Sequence, residues 1–226
     1  MVFFQPEQVP PFSPGKVFTF LFLMLGPFKI IGPFAAMTAG RDRTFKHRLA
    51  LEATIVSAIG TIAAVMLGTK ILRKWGVSVG ALLLTAGIVL FLVALQVVLD
   101  QYAARDGAAK PAPPTTPETS PSELAFSPLA FPTIITPYGV AVLIVLVTLR
   151  TGQTMTLLRI AGITAIVLAL DFLAMLSADR ILNRPMVRPI LGILGSVLSV
   201  LQAALGIQAM VDALHLLHVI PGLATG

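Results

Sequence analysis

The chain has 226 residues, 56% of them hydrophobic and only 12% charged, with a mean hydropathy of +0.92 and no cysteine. A soluble domain carries about 25% charged residues, so this composition excludes a protein whose main solvent is water, and the missing thiols exclude a disulfide framework, a thiolate metal site and a cysteine nucleophile. The net charge of +6 does not point to nucleic acid, because the basic residues stand in short clusters between apolar segments, where they set membrane orientation.

The opening MVFFQPEQVPPFSPGK holds no basic n-region and no small-residue cleavage site, so the first apolar run is expected to stay in the mature protein. Six apolar runs follow, at 17–39, 49–69, 75–99, 125–149, 160–178 and 189–211. Each is long enough to cross a hydrocarbon core of about 30 Å as a helix of roughly 20 residues. The predicted fold is therefore an all-α membrane protein of six transmembrane helices.

The first run, VFTFLFLMLGPFKIIGPFAAMTA, carries two Gly-Pro pairs and a lysine, Lys29. A proline has no N–H to donate and clashes with the carbonyl four residues back, so Pro27, near the middle of the run, is expected to break the helix. The second run begins after a basic cluster of Arg41, Arg43, Lys46 and Arg48, and its Glu52 lies near the headgroups. In the third run GVSVG at Gly76 to Gly80 suits close helix contact, and Gln96 stands one turn before Asp100 on the same face.

Next comes a stretch with five prolines and little apolar surface, read as a disordered linker over 101–124. The fourth run, AFSPLAFPTIITPYGVAVLIVLVTL, holds Pro128, Pro132 and Pro137 and is the second poor uninterrupted helix. The fifth, with AIVLALDFLAML, places Asp171 at its centre. The sixth has the small residues of LGILGSVLSV, suited to helix packing, and then Gln208 one turn before Asp212, a pair expected, like Gln96, to hydrogen-bond between helices. His47, His215 and His218 are too few and too scattered for a metal site.

The two halves resemble each other. LGPF at Leu25 to Phe28 matches ITPY at Ile135 to Tyr138, KIL at Lys70 matches RIL at Arg180, and QVVLD at Gln96 matches QAMVD at Gln208, with offsets of 110, 110 and 112 residues. Residues 1–100 and 125–226 thus read as two three-helix repeats. An odd number of crossings per repeat forces the second copy to enter from the opposite side, which gives an inverted repeat with broken first and fourth helices. An ordinary six-helix bundle with coincidental matches is the competing reading.

Lysines and arginines outside the runs divide into nine on the face of Arg41 and Arg184 and six on the face of the N-terminus. The positive-inside rule then puts both termini outside and the linker in the cytoplasm. Reporter fusions at the C-terminus are expected to give an extracytoplasmic signal; a cytoplasmic one would overturn this topology.

Matched interruptions of two spans are the sequence pointer to a midplane binding site, where half-helix ends offer free backbone groups to a solute. The candidate site residues are Gly26, Pro27 and Lys29 in the first run, Thr136, Pro137, Tyr138 and Gly139 in the fourth, and Asp171 in the fifth. Lys29 lies 12 residues into its run and Asp171 11 into its own, counted from the same face. At 1.5 Å per residue both reach about 17 Å, so they are expected to pair near the midplane, as a substrate or proton-coupling pair or as a structural salt bridge.

The run LGPFKIIGPF, the fourth-span AFSPLAFPTIITPYGVAVLI and the terminal ILGILGSVLSVLQAALGIQAMVDAL resemble the MarC family of bacterial inner-membrane proteins, over residues 16 to 218. The resemblance implies a six-helix inverted-repeat fold similar to that of the amino-acid exporter superfamily containing LysE, and transport of small neutral amino acids in several members. The family usually has Asn-Pro where this chain has Gly26-Pro27, and Gly-Pro-Gly where it has Thr136-Pro137-Tyr138.

The expected function is a secondary transporter of a small polar solute, an amino acid or similar metabolite, in a bacterial inner membrane; the alternative is a non-transporting scaffold or accessory protein. No catalytic set is visible, so an enzyme is not expected. The partners implied are a small-molecule solute and the lipid bilayer, with a homo-oligomer left open, and neither nucleic acid nor any cofactor or metal.

Overall fold

The computed structural model describes residues 13–105, 120–184 and 186–219, and within them the chain is helical with no strand. The helices are α1 (Pro14–Leu25), α2 (Phe28–Met37), α3 (Arg43–Trp75), α4 (Val79–Arg105), α5 (Pro121–Leu124), α6 (Pro137–Leu149), α7 (Thr154–Leu182) and α8 (Val187–Leu216). Between α5 and α6 the chain makes wide turns over Ala125–Ile134, opened at Ser127 and Phe131, each of which precedes a proline and is extended.

This is an all-α membrane protein. Five stretches are long and apolar enough to span: Pro14–Met37, Arg43–Trp75, Val79–Asp100, Thr154–Leu182 and Ile190–Leu216. The first is α1 and α2 running on across an interruption. A sixth span is formed if Pro121–Ile134 and Pro137–Leu149 are taken together, bent by 63°. Of the stretch 101–124 read as a linker, 101–105 extends α4 and 121–124 opens the fourth span, while 106–119 lies outside the described residues.

Local chemistry explains the helix ends. Asp42 caps α3 by accepting from Phe45 N at 3.2 Å. Gly76 closes the same helix in the left-handed conformation, φ 66°, beyond Arg73 and Lys74, whose charges suit the negative end of the helix dipole. Ser120 and Glu123 form a capping box at the start of α5. At 33 residues α3 is about 50 Å long and must tilt or project from a core of about 30 Å.

The interior has two main layers. One joins Ile30, Phe34, Leu49, Leu129, Ile134 and Met175; the other joins Leu21, Met24, Leu90, Tyr138, Leu143 and Ile163. Each layer takes the part of the first span on one side of its interruption and the part of the fourth span on the other side, so these two spans run in opposite directions. α1 and α2 lie along α7, while the 121–149 arm lies along α3. Ile59, Ile62, Leu158 and Ile193, each more than half exposed, face outward, as lipid-facing side chains do.

The most extensive helix pairing is α4 on α8. It is centred on Gly87 and Gly206: a Cβ at Gly87 would stand 2.8 Å from Gly206 O, and one at Gly206 would stand 2.8 Å from Phe91 N. Backbone therefore touches backbone, the close approach that small residues permit in membrane helices. This corrects the sequence expectation in part. Gly80 is tight against Leu217, but Gly76 is a helix cap, and Gly192 and Gly195 face open space, with nothing within 4 Å of where a Cβ would stand.

Candidate functional site

The two interruptions face each other. Gly26 is extended (ψ 170°) and ends α1, and Pro27 begins the next turn. Without a Pro27 N–H, the Leu23 carbonyl has no donor within its own helix. Gln202 of α8 fills that role, its Nε2 donating to Leu23 O at 2.6 Å. The neighbouring Met24 carbonyl accepts from Lys29 Nζ at 3.0 Å, a cation set at the negative end of α1.

In the fourth span Ile135 and Thr136 are extended, with ψ of 94° and 140°. Thr136 Oγ1 accepts from Gly139 N at 3.3 Å and caps α6. A Cβ at Gly139 would lie 2.7 Å from that hydroxyl and 3.3 Å from Leu25 Cδ1, so a side chain there would displace the Thr136 cap and press on Leu25 of α1. Lys29 Nζ also donates to the Tyr138 hydroxyl and lies 4.9 Å from the ring centroid. One ammonium thus bridges both interruptions.

Between the breaks and α8 lies a cavity of about 540 Å³. Gly26, Lys29, Thr136, Pro137 and Tyr138 line it, joined by Thr133, Ser199 and Gln202 and by the apolar Phe22, Phe28, Val93, Val97 and Leu198. Pro27, Gly139 and Asp171 do not reach its wall. Asp171 is 1% exposed, flanked on α7 by the buried Val167, Leu168 and Met175, and neither carboxylate oxygen has a hydrogen-bond partner among the described residues.

Lys29 and Asp171 therefore do not form the ion pair expected from their equal depth: no contact within 4 Å joins them, although each lies in the other's field. The physical reason is the break itself. Lys29 sits one turn past carbonyls that have lost their donors, and its ammonium turns back to one of them. Gln208 likewise differs from expectation, donating to Asp212 in its own helix at 2.8 Å, and Gln96 is exposed.

The wall residues that sequence reasoning missed are Ser199, Gln202 and Thr133. Their signal was present: Gln202 is the most polar side chain in the middle of the sixth apolar run, and an amide at that depth must find a partner.

With the geometry established, comparison with known proteins decides the family. The pattern described as MarC family integral membrane protein matches residues 13–217. The chain belongs to the MarC family. It is also similar to a UPF0056 membrane protein of Methanocaldococcus jannaschii, 24% identical over 198 residues, which cover 88% of this chain and 94% of that protein. A second UPF0056 membrane protein, from Archaeoglobus fulgidus, is 26% identical over 204 residues, 87% of this chain and 90% of that one. No solved structure matches. This MarC family chain is thus a multi-pass integral membrane protein, and its matched relatives are archaeal.

Proposed function

We propose that this MarC family protein is a secondary transporter of a small polar solute, an amino acid or similar metabolite, and not an enzyme. The observation that carries the reading is the cavity of about 540 Å³ set at two facing helix interruptions and walled by one cation and several neutral polar groups. Irregular backbone at membrane depth is tolerated where it is buried in protein or lines a cavity, and transporters place their sites at such broken helices.

An inverted three-helix repeat is part of the proposal. Three features support it: the first and fourth spans run oppositely through the two core layers, α1 and α2 pack on α7 as the 121–149 arm packs on α3, and α4 pairs with α8. Alternating access then amounts to the two broken arms moving around the α4–α8 pair. The membrane proposed is the cell membrane, the inner one in a bacterium.

The scaffold reading draws on one specific observation, that Lys29 satisfies Met24 O and the Tyr138 hydroxyl and so stabilises the bundle. Uptake of labelled small metabolites into proteoliposomes, with and without a proton gradient, separates the two. Transport requires saturable accumulation above that of empty vesicles; its absence for every solute class would leave a scaffold.

A further inference from the structure

The charge on the cavity wall is one-sided. Lys29 is the only charged side chain among its described lining residues, and the wall holds no carboxylate. Asp171, the acid that acts on Lys29 through its field, is buried away from the wall. A lysine ammonium has three N–H donors; two are engaged, by Met24 O and the Tyr138 hydroxyl, and one remains. Gln202 has two amide N–H groups, of which one goes to Leu23 O. The Tyr138 hydroxyl accepts from Lys29 and is also hydrogen-bonded to the Thr136 side chain, so it orients the ammonium at the wall.

The remaining wall is suited to an apolar body, with Phe22, Phe28, Val93 and Leu198 beside this donor set. A zwitterion would bring an ammonium as well as a carboxylate. It would meet a like charge and no carboxylate among the described lining residues, with only neutral oxygens, those of Thr133, Thr136, Ser199 and Gln202, to receive its ammonium. In a low-dielectric cavity such an uncompensated charge is disfavoured.

We propose that the cavity takes a small organic monoanion with an apolar body and no free ammonium, its carboxylate held by Lys29 with Gln202. The proposal sets aside the amino acid of the transporter reading in favour of a similar metabolite without an ammonium, and rests on that reading only for the claim that the ligand is moved.

Four probes of one skeleton test it on the purified full chain in detergent: isocaproate, leucine, isoamylamine and isocaproamide. Isocaproate is expected to bind about tenfold or more tighter than any of the others, because isoamylamine and isocaproamide lose the charge-assisted hydrogen bond and leucine brings an ammonium that meets no anion. Lys29→Arg keeps the preference. Because Lys29→Met threatens folding, Ser199→Asp is the decisive variant: it adds a carboxylate to the wall, leaves the Lys29 contacts in place, and is expected to abolish isocaproate binding while raising that of isoamylamine.

Equal or tighter binding of leucine or isoamylamine, no isocaproate binding, or an unchanged preference in Ser199→Asp would each overturn the proposal. Uptake by the same protein in vesicles keeps the two ideas distinct. Isocaproate bound but never accumulated leaves the anion site standing and removes transport, whereas leucine accumulated without isocaproate does the reverse.

Discussion

Lys29→Met is expected to lower stability by about 3–5 kcal/mol, the range for removing one member of a buried charged constellation. Three groups lose their partner at once: the Met24 carbonyl, the Tyr138 hydroxyl and, through the field alone, Asp171. The converse change is far milder. Asp171→Leu removes a carboxylate with no hydrogen bond among the described residues and leaves Lys29 both of its own, so it should cost less than Lys29→Met. The double variant should be more stable than Lys29→Met alone, since no lone charge remains, yet short of the parent protein, since the carbonyl and hydroxyl stay unsatisfied. Thermal midpoints of all four proteins in detergent measure this. Asp171→Leu proving more damaging than Lys29→Met would reverse the assignment, and strictly additive losses would show that the two charges do not act on each other.

Gly206→Leu should be about as damaging as any single change in the chain, costing upwards of about 3 kcal/mol. Even alanine there puts a Cβ 2.8 Å from Phe91 N and 2.9 Å from Gly87 O, and backbone cannot swing aside as a side-chain tip can. The α4–α8 pair must separate instead, giving up packing along the most extensive helix contact in the molecule. Gly192→Ala on the same helix, with nothing within 4 Å, should be neutral or stabilising by up to about 1 kcal/mol through helix propensity. Melting of both variants beside the parent checks the contrast; equal tolerance at the two positions would sink it.

Much of the fold was legible because lipid imposes a simple rule: a spanning helix needs an unbroken apolar stretch, and six were visible. The interruptions were legible for a similarly local reason, since Pro27 and Pro137 lack a donor wherever they stand. What the chain alone did not disclose were the partners across helices. Equal depth suggested that Lys29 and Asp171 meet, but depth fixes one coordinate of three, and the freed Met24 carbonyl lay closer to hand. Glycines posed the same difficulty. Gly192 and Gly206 sit in one helix of similar composition, and only the crossing point of α4 distinguishes a contact from an open face. Gln202 was overlooked because its acceptor, Leu23 O, is a backbone atom 179 residues away.

The two core layers have a mechanical consequence. Each contains one half of the first span and the opposite half of the fourth, and no continuous ladder of backbone hydrogen bonds runs from layer to layer along either span. Strain in one layer is therefore not transmitted stiffly to the other through these arms, as it would be along an intact helix. Along these two spans the layers are joined by hinges at Gly26-Pro27 and Ile135-Thr136 and not by rods. The Lys29 ammonium, bonded to Met24 and Tyr138 of one layer but carried on the first turn of α2, which leads into the other, is a side-chain tie across the hinge of the first span.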